Sequence, residues 1–308
     1  MVTCNLQVAS LSRKVLKLSG LDELAETIGS VAQKVGPATV RIGGGWRSGS
    51  GVVVGDGVVL TNAHNVRHEQ VTVTFADGRQ AEAEVKGVDV DGDLAVLAVA
   101  TGGAAAPAWA GSAPTVGTAV FGLANNGSGP RVTFGTVSSV SAAFRGPRGR
   151  RIAGTIEHTA PLAPGSSGGP LVNAAGELVG INTNRLGDAF YLALPTDAAL
   201  RDRVTNLQTG QSVERPRLGV GIAPAHVARR LRRSVGLPDR EGLLVREVED
   251  ESPAAKADVR EGDLLVSADG KAIANADDLF DALGAAGATL SLGVVRGAED
   301  LTLEVALR

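Results

Sequence analysis

The chain has 308 residues, which is too long for one small core and suggests about two or three domains. Hydrophobic residues make up 44% of it and charged residues 20%, and 41 glycines beside only two Trp, one Tyr and six Phe favour turn-rich β structure. The net charge of −3 excludes a general electrostatic attraction to nucleic acid or to an anionic membrane, and the single cysteine, Cys4, excludes an internal disulfide framework and a cysteine-based zinc site.

The first part of the chain is expected to contain one short helix. Residues 1–18 have no clean periodicity and are expected to be loose, and they lack the charged start and apolar core of an export signal. From Leu21 the apolar residues recur at helical spacing as far as Val35, where Gly36-Pro37 ends the pattern. This predicts an amphipathic helix at about 21–35, which could pack on its own domain or on a neighbouring subunit.

Short β-type segments separated by turn signals fill the chain from Thr39 to about Pro195. Because no regular helices lie between them, they predict a closed barrel or a sandwich. A helix is predicted at 196–207, and the polar residues 208–216 predict a linker between a first domain, 19–207, and a second, 217–308. The predicted strands lie at residues 51–54, 57–60, 71–75, 94–99, 131–134, 135–140, 178–181 and 189–194.

The second domain is expected to be a small α+β unit. A basic segment, Arg229–Arg233, falls in the first of its two predicted helices and has no aromatic neighbours, so a solvated helix face is favoured over a nucleic-acid site. No run of about 18 apolar residues occurs anywhere, so no membrane span is predicted. The helices of this domain are predicted near 225–235 and 276–285, and its strands at 218–222, 242–248, 263–267, 289–295 and 301–307.

A serine between glycines is the strongest chemical signal in the first domain. In Gly165-Ser-Ser-Gly-Gly169 the glycines indicate unusual backbone conformations or a close approach of the backbone to another group, although an ordinary surface turn uses the same residues. Serine becomes a nucleophile when a base takes its proton, and a buried carboxylate orients that base. His64, just after a predicted strand, and Asp93, just before one, are the candidates for these two roles.

Together, His64, Asp93 and Ser167 predict a catalytic site, although each alone is more typical of a surface or turn residue. The backbone N–H groups of Gly165 and Ser167 could converge on an oxyanion. His64 and His68, at i and i+4, could instead hold zinc on one helical face, but the glutamate of such a motif is missing. We therefore expect neither a metal nor an organic cofactor.

These motifs resemble those of the HtrA (DegP-like) serine proteases. The resemblance implies a mainly β fold, a chymotrypsin-like double β-barrel, with His64 as general base and acid, Asp93 as its orienting carboxylate and Ser167 as nucleophile. It also implies an oxyanion hole made by the amides of Gly165 and Ser167. The segments that carry it are Thr61-Asn-Ala-His64, Asp93-Leu-Ala-Val-Leu97, Gly165-Ser-Ser-Gly-Gly-Pro-Leu-Val172 and Gly176-Glu-Leu-Val-Gly-Ile-Asn182; Asn65, Ala163 and Ser166 depart from the family pattern.

In chymotrypsin-like proteases the pocket for the side chain before the scissile bond is lined by residues ahead of the serine and by a later strand. The corresponding residues contain no carboxylate, so a basic substrate side chain would be left unpaired. We expect cleavage after small or aliphatic residues. The predicted pocket residues are Thr159, Leu162, Tyr191, Leu192 and Ala193.

The start of the second domain is similar to the carboxylate-binding loop and first strand of a PDZ domain. A loop of unpaired backbone N–H groups can hold the terminal carboxylate of a peptide while the peptide adds as a strand to the sheet edge. The alternative is that the apolar residues of this region only fill the core. The predicted groove residues are Arg217, Leu218, Gly219, Val220 and Ile222, with Leu279 and Leu283 on the facing helix.

The sequence is therefore interpreted as an ATP-independent serine endopeptidase that cleaves unfolded or damaged proteins through an acyl-enzyme, with PDZ capture of substrate C-termini. The alternative is a non-hydrolytic, chaperone-like module that binds peptides on a protease scaffold. By resemblance we expect a homo-oligomer, a trimer or larger. The chain as written predicts the cytoplasm, whereas the resemblance implies the cell envelope or secretion if the true start lies upstream.

Overall fold

The computed structural model describes residues 19–45, 48–211 and 216–307, so the loose segment predicted at 1–18 lies outside the described residues. Strands dominate the chain and form two closed barrels, followed by a separate sheet. The mainly β, double-barrel fold expected from the sequence is confirmed. Among the described residues, no helix has the length and apolar character needed to cross a bilayer.

The first barrel is built from six antiparallel strands in the order β1-β2-β3-β6-β5-β4. Its strands are rich in valine, which suits a pleated surface buried on one side. Val40, Val52 and Val59 are fully buried inside it. The strands are β1 Thr39–Ile42, β2 Gly49–Gly55, β3 Val58–Thr61, β4 Gln70–Thr74, β5 Gln80–Asp89 and β6 Leu94–Ala98.

The second barrel has the strand order β10-β11-β12-β9-β8-β7. Buried residues of this barrel, including Leu123 and Ile181, belong to the same hydrophobic cluster as the interior of the first barrel. The two barrels therefore share part of their core, while other residues of the second barrel, such as Val120 and Leu171, form a separate hydrophobic cluster. The strands are β7 Ala119–Asn125, β8 Pro130–Arg145, β9 Arg151–His158, β10 Pro170–Val172, β11 Leu178–Leu186 and β12 Phe190–Pro195.

Two helices flank the barrels. Helix α1, Ser19–Val35, buries Val31 and Val35 in this shared core, so its C-terminal part packs on its own domain. Helix α2, Ala198–Gln208, begins after Asp197, whose carboxylate accepts a hydrogen bond from the N–H of Leu200. Its buried residues face the first barrel, so α2 packs against the outer surface of strands β5 and β6.

The remaining strands form a sheet in the order β13-β14-β15-β17-β18, with β16 paired to β15. Strand β13 is an edge strand and lies beside α5, which an Asn275 and Asp278 capping box initiates. The elements are β13 Val220–Ala223, α3 Ala225–Ser234, β14 Leu243–Val248, α4 Pro253–Lys256, β15 Leu264–Ala268, β16 Lys271–Ala272, α5 Ala276–Ala285, β17 Thr289–Arg296 and β18 Glu299–Ala306.

The basic segment of α3 is only partly solvated. Arg232 is 3% exposed, and its guanidinium donates hydrogen bonds to the carbonyls of Pro238 and Gly297. Arg233 instead pairs with Asp239 at the surface. The solvated-face interpretation is therefore wrong for Arg232, which holds the turn after α3 in place.

Candidate active site

Strand pairing brings His64 and Asp93 together. His64 lies in a 3₁₀ turn, Ala63–Asn65, just after β3, and Asp93 lies just before β6. Strands β3 and β6 are antiparallel neighbours, with Thr61 opposite Ala95, so the end of one meets the start of the other. The His64 Nδ1 atom lies 2.9 and 3.0 Å from the two carboxylate oxygens of Asp93.

The Asp93 carboxylate is 1% exposed and accepts hydrogen bonds from two residues. The His64 backbone N–H donates to Oδ1 at 3.2 Å, and the Thr183 hydroxyl donates to Oδ2 at 2.6 Å. Because a carboxylate only accepts, the His64 Nδ1 atom must carry the proton, which leaves Nε2 as an acceptor. The ring is therefore in the tautomer that a general base requires, and it is 36% exposed.

Two successive turns shape the loop that carries Ser167. The first turn runs from Ala163 to Ser166, and the Ser166 N–H donates a hydrogen bond to the Ala163 carbonyl at 3.2 Å. Its second residue is Pro164, and its third is Gly165, which has φ +86°. This is the residue pattern of a type II turn. The second turn has Gly168, with φ +89°, at the same position, and a Cβ there would lie 2.1 Å from the Ser50 carbonyl oxygen. The positive φ angles at both positions, and the lack of space for a Cβ at position 168, therefore favour glycine.

The amides of Gly165 and Ser167 have no acceptor among the described residues. Both residues are partly exposed, so these N–H groups are available to an external oxygen. Unpaired backbone donors on a fixed loop are the groups that stabilise a developing oxyanion.

The Ser167 hydroxyl is hydrogen-bonded to the backbone of Thr183. Its Oγ atom donates to the Thr183 carbonyl at 2.6 Å, and no hydrogen bond joins it to the His64 ring in the described part of the chain. Thr183 thus contacts Asp93 through its side chain and Ser167 through its backbone. Sequence reasoning missed Thr183. The signal that could have found it is its position, because it directly follows Asn182 at the end of the Gly176–Asn182 motif.

Both barrels hold the backbone of Ser167. From the first barrel, the Ser50 N–H and the Asn65 side-chain amide donate to the Ser167 carbonyl at 2.8 and 2.9 Å. From the second barrel, the Asn182 carbonyl accepts from the Gly168 N–H at 2.7 Å. The peptide that follows the serine is therefore fixed on both edges.

A cavity of about 190 Å³ lies beside Ser167. Of the predicted pocket residues, Leu162 and Tyr191 line it; Leu192 and Ala193 are fully buried, and Thr159 accepts a hydrogen bond from the Thr136 N–H instead. Among the residues that the structure describes, no carboxylate lines the cavity. The other lining residues are Ala163, Pro164, Gly165, Ser166, Ser167, Thr183, Asn184 and Arg185, none of which was among the predicted pocket residues.

A second histidine, His158, lies buried beside this cavity. Its ring stacks on Tyr191, and its Nε2 atom lies 3.1 Å from Oδ1 of Asn182. The Asn182 amide nitrogen donates to the Pro170 carbonyl, so Oδ1 must accept and His158 must carry its proton on Nε2. Burial lowers the pKa of His158 to about 4, against a smaller opposing effect of the Asn182 hydrogen bond. This histidine is therefore neutral at physiological pH.

The predicted PDZ groove residues surround a single larger cavity of about 420 Å³ between β13 and α5. Leu218, Leu279 and Leu283 also belong to the core, so they both fill the domain interior and line the cavity. Arginines between β8 and β9 line the same cavity, and Arg145 pairs with Asp277 of α5 at 2.7 Å. The predicted residues in the lining are Arg217, Leu218, Gly219, Val220, Ile222, Leu279 and Leu283.

Comparison with known proteins gave two family matches and many relatives. A trypsin-like peptidase domain matches residues 49–181, and a PDZ domain matches residues 216–307. The putative serine protease HhoA of Synechocystis is 36% identical over 289 residues, covering 88% of this chain and 72% of that protein. The serine endoprotease DegS of Escherichia coli K12 is 32% identical over 278 residues, covering 84% and 76%.

Solved structures agree in fold. The serine endoprotease from Yersinia pestis is 26% identical, with a TM-score of 0.61 over 91% of this chain and 96% of that one. The HtrA-type protease AlgW with a decapeptide has a TM-score of 0.64 and 24% identity over 91% and 97%. The likeness therefore spans both the barrels and the C-terminal sheet.

Proposed function

Because the chain belongs to the HtrA family of serine proteases and is a serine endopeptidase, we propose that His64, Asp93 and Ser167 are its catalytic residues. The observation that carries this assignment is the pairing of the His64 Nδ1 atom with the buried Asp93 carboxylate at 2.9 Å. That pairing leaves the Nε2 atom of the partly exposed His64 ring without a proton and able to accept one.

In the proposed reaction, His64 Nε2 takes the Ser167 proton as the hydroxyl oxygen attacks the substrate carbonyl carbon. The amides of Gly165 and Ser167 donate to the resulting oxyanion. His64 then gives its proton to the leaving amine, the acyl-enzyme forms, and a water activated by His64 releases the acid. Asp93 stays ionised and stabilises the imidazolium throughout.

The resting hydroxyl has to move before it can react. We propose that rotation about the Cα–Cβ bond of Ser167 releases Oγ from the Thr183 carbonyl and lets it reach the His64 ring; such a side-chain motion is available to partly exposed residues.

The test compares casein turnover by the wild type, Ser167→Ala and the neighbouring control Ser166→Ala. We expect Ser167→Ala to lose activity by at least about 10⁴-fold, since the nucleophile is gone, and Ser166→Ala to keep most of it. Undiminished turnover by Ser167→Ala would contradict the assignment.

We further propose that the cleaved bond follows a small or aliphatic residue. The support is the cavity lining, where Leu162 and Tyr191 lie near the Arg185 cation and no carboxylate is present. A lysine or arginine side chain there would meet a like charge rather than a partner. Faster cleavage after Arg or Lys than after Val or Ala in matched peptides would refute the proposal.

The proposed substrates are unfolded or damaged proteins, captured without ATP by their C-termini in the PDZ groove. The support is the edge strand β13 beside the 420 Å³ cavity, which offers a strand-addition site next to a protease. Peptides with a free carboxyl terminus should bind at least about tenfold more tightly than their amidated forms, since the backbone donors of the loop recognise the carboxylate. Equal binding of the two forms would contradict C-terminal capture.

We also propose a homo-oligomer, with a trimer as the expected state from the family resemblance. Light scattering after size-exclusion chromatography tests it directly, and a mass equal to one chain at micromolar concentration would refute it.

A further inference from the structure

We propose that Asn65 is a positioning residue for the reaction: its side-chain amide holds the carbonyl of the nucleophilic serine from the opposite barrel and so fixes Ser167 relative to His64. The inference rests on the catalytic role proposed above for Ser167. It concerns a residue at which this chain departs from the motif of its relatives.

The orientation of the Asn65 amide follows from its neighbours. Nδ2 lies 2.9 Å from the Ser167 carbonyl oxygen, which can only accept. Nδ2 also lies 3.0 Å from the Thr61 hydroxyl, whose own hydrogen is donated to the Ser50 carbonyl at 2.7 Å, so this oxygen must accept as well. Both neighbours therefore require the NH₂ group, and both of its hydrogens are used.

Two peptide planes flank the Ser167 Cα atom, and hydrogen bonds hold each of them. The preceding plane contains the Ser166 carbonyl, which accepts from the Gly169 N–H at 3.0 Å. The following plane contains the Ser167 carbonyl, held by Ser50 and Asn65, and the Gly168 N–H, held by Asn182. Asn65 supplies the side-chain contact in this set, since the other three are backbone to backbone.

Asn65 also connects the nucleophile to the base. Asn65 follows His64 in the 3₁₀ turn. The Asn65 N–H donates a hydrogen bond to the Asn62 carbonyl at 3.1 Å, and this bond fixes the geometry of the turn. The amide reaches Ser167 across Gly49, where a Cβ would lie 2.3 Å from the Asn65 amide group. The first barrel thus leaves space at position 49 for this contact between the base and the loop of the second barrel.

The expected consequence is kinetic. Without the amide, the Ser167 carbonyl keeps one donor, and the peptide plane can tilt, which moves both Oγ and the Ser167 N–H. Misplacement of a reacting group by about 1 Å costs on the order of 10²-fold in rate. Because Asn65 does not line the substrate cavity, the loss should fall on kcat rather than on KM.

The test uses Asn65→Leu, which has a similar volume and no donor, and Asn65→Asp, which has the same shape but donates only when protonated. Thr196→Val is the control variant. It removes another hydrogen bond from a side chain to a carbonyl, in which the buried Thr196 hydroxyl donates to Leu178 of the second barrel at 2.8 Å. We expect kcat to fall by about tenfold in both Asn65 variants, with KM within about twofold of the wild type. Thr196→Val should lose stability and keep kcat.

The pH profile separates positioning from a general structural effect. In Asn65→Asp the introduced carboxyl group can donate to the Ser167 carbonyl when it is protonated, whereas its ionised form repels that carbonyl. The ratio of kcat for Asn65→Asp to that of the wild type should therefore rise as the pH falls from 8 to 5, while the ratio for Asn65→Leu stays flat. If Asn65→Leu does not fold, the Asn65→Asp ratio decides the question.

Wild-type kcat in both Asn65 variants, or a flat pH ratio for Asn65→Asp, would overturn the inference. So would a kcat loss that the Thr196→Val control shares. Ser167→Ala, measured beside them, keeps the two proposals apart: if it is inactive while the Asn65 variants are fully active, only the positioning role fails. If Ser167→Ala remains active, the catalytic assignment itself fails.

Discussion

Burial sets the protonation of His158 beside the candidate active site. The side chain is fully buried, and its pKa falls from 6.5 in the unfolded chain to about 4. Between these two values the unfolded chain binds a proton that the folded chain does not. The neutral histidine therefore contributes its full stability above about pH 6.5, and this contribution is lost as the pH falls toward 4.

We predict that the free energy of unfolding of the wild type decreases when the pH is lowered from 7 to 5, and that this decrease is about 2 kcal/mol larger than the decrease in His158→Gln. Glutamine does not titrate and can still donate to Asn182. Urea unfolding of both proteins at the two pH values measures the difference. Parallel losses would mean that His158 is protonated as readily in the folded chain as in the unfolded one.

The proposed catalytic residues carry a sequence signal because their chemistry needs particular residue types in recognisable local motifs. Gly165 and Gly168 carried a signal of their own, since positive φ angles favour glycine. The partners of these residues carried no such signal. Thr183 and Asn65 act through hydrogen bonds to residues 90 and 102 positions away, and such contacts depend on strand pairing and barrel closure.

At the scale of elements, the turn from Ala163 to Ser166 decides where the Gly165 N–H points. The third residue of a type II turn needs positive φ, and Gly165 has φ +86°. A Cβ on it would also lie 3.1 Å from the Ser48 carbonyl oxygen. A side chain at this position therefore favours a different turn, which rotates the peptide that carries the proposed oxyanion donor.

We predict that Gly165→Ala lowers kcat on the order of 10²-fold, because one oxyanion donor is misdirected. The control is Gly176→Ala, in another turn of the same barrel with φ +81°. Both substitutions should cost roughly 1–2 kcal/mol of stability through the same left-handed strain. Peptide hydrolysis and urea unfolding together test the prediction, and an equal loss of activity in the two variants would contradict it.

Regular elements were predicted where local pattern and burial agree, as in α1, α5 and the valine-rich strands of the first barrel. In the barrels, strands β1, β5, β7, β9 and β10 were missed. Polar residues interrupt β5 and β9, glycine interrupts β7, and β1 and β10 have only four and three residues. Gly135 was taken as a break between two strands, but β8 runs through it. A Cβ at this position would lie 2.1 Å from the Ala160 nitrogen, so glycine serves close packing rather than a turn.

At the scale of the whole molecule, the segment between β8 and β9 links the barrels to the PDZ domain. Arg145 pairs with Asp277, Gly149 lies near Phe280, and the Arg150 guanidinium lies near Gly284. The three contacted residues of α5 are spaced three and four apart, so they share one face of the helix. The same cavity that forms the proposed peptide groove is lined by Arg145, Gly149 and Arg150 of the protease domain, so these residues form one wall of it.

The Arg145 and Asp277 pair should behave as a weak, salt-sensitive contact. Its side chains are 50% and 35% exposed, and exposed pairs contribute about 1 kcal/mol at most. The hydrogen bond from Arg145 lowers the pKa of Asp277 below its usual value, with a smaller opposing effect of burial. The contact is therefore complete at neutral pH and is lost only as the pH falls through this lowered value.

We predict that Arg145→Asp and Asp277→Arg each speed amide hydrogen exchange in residues 276–285, because the like charges separate α5 from the barrel, and that the double variant restores protection. Exchange followed by mass spectrometry at low salt measures this, and high salt should remove much of the difference. Exchanging the charges of Glu84 and Lys86, an exposed pair within β5, is the control and should leave α5 unchanged. Faster exchange in the double variant than in either single variant would mean that the guanidinium and carboxylate do not bind each other, and that packing of Gly149 and Arg150 on the helix holds the domains together.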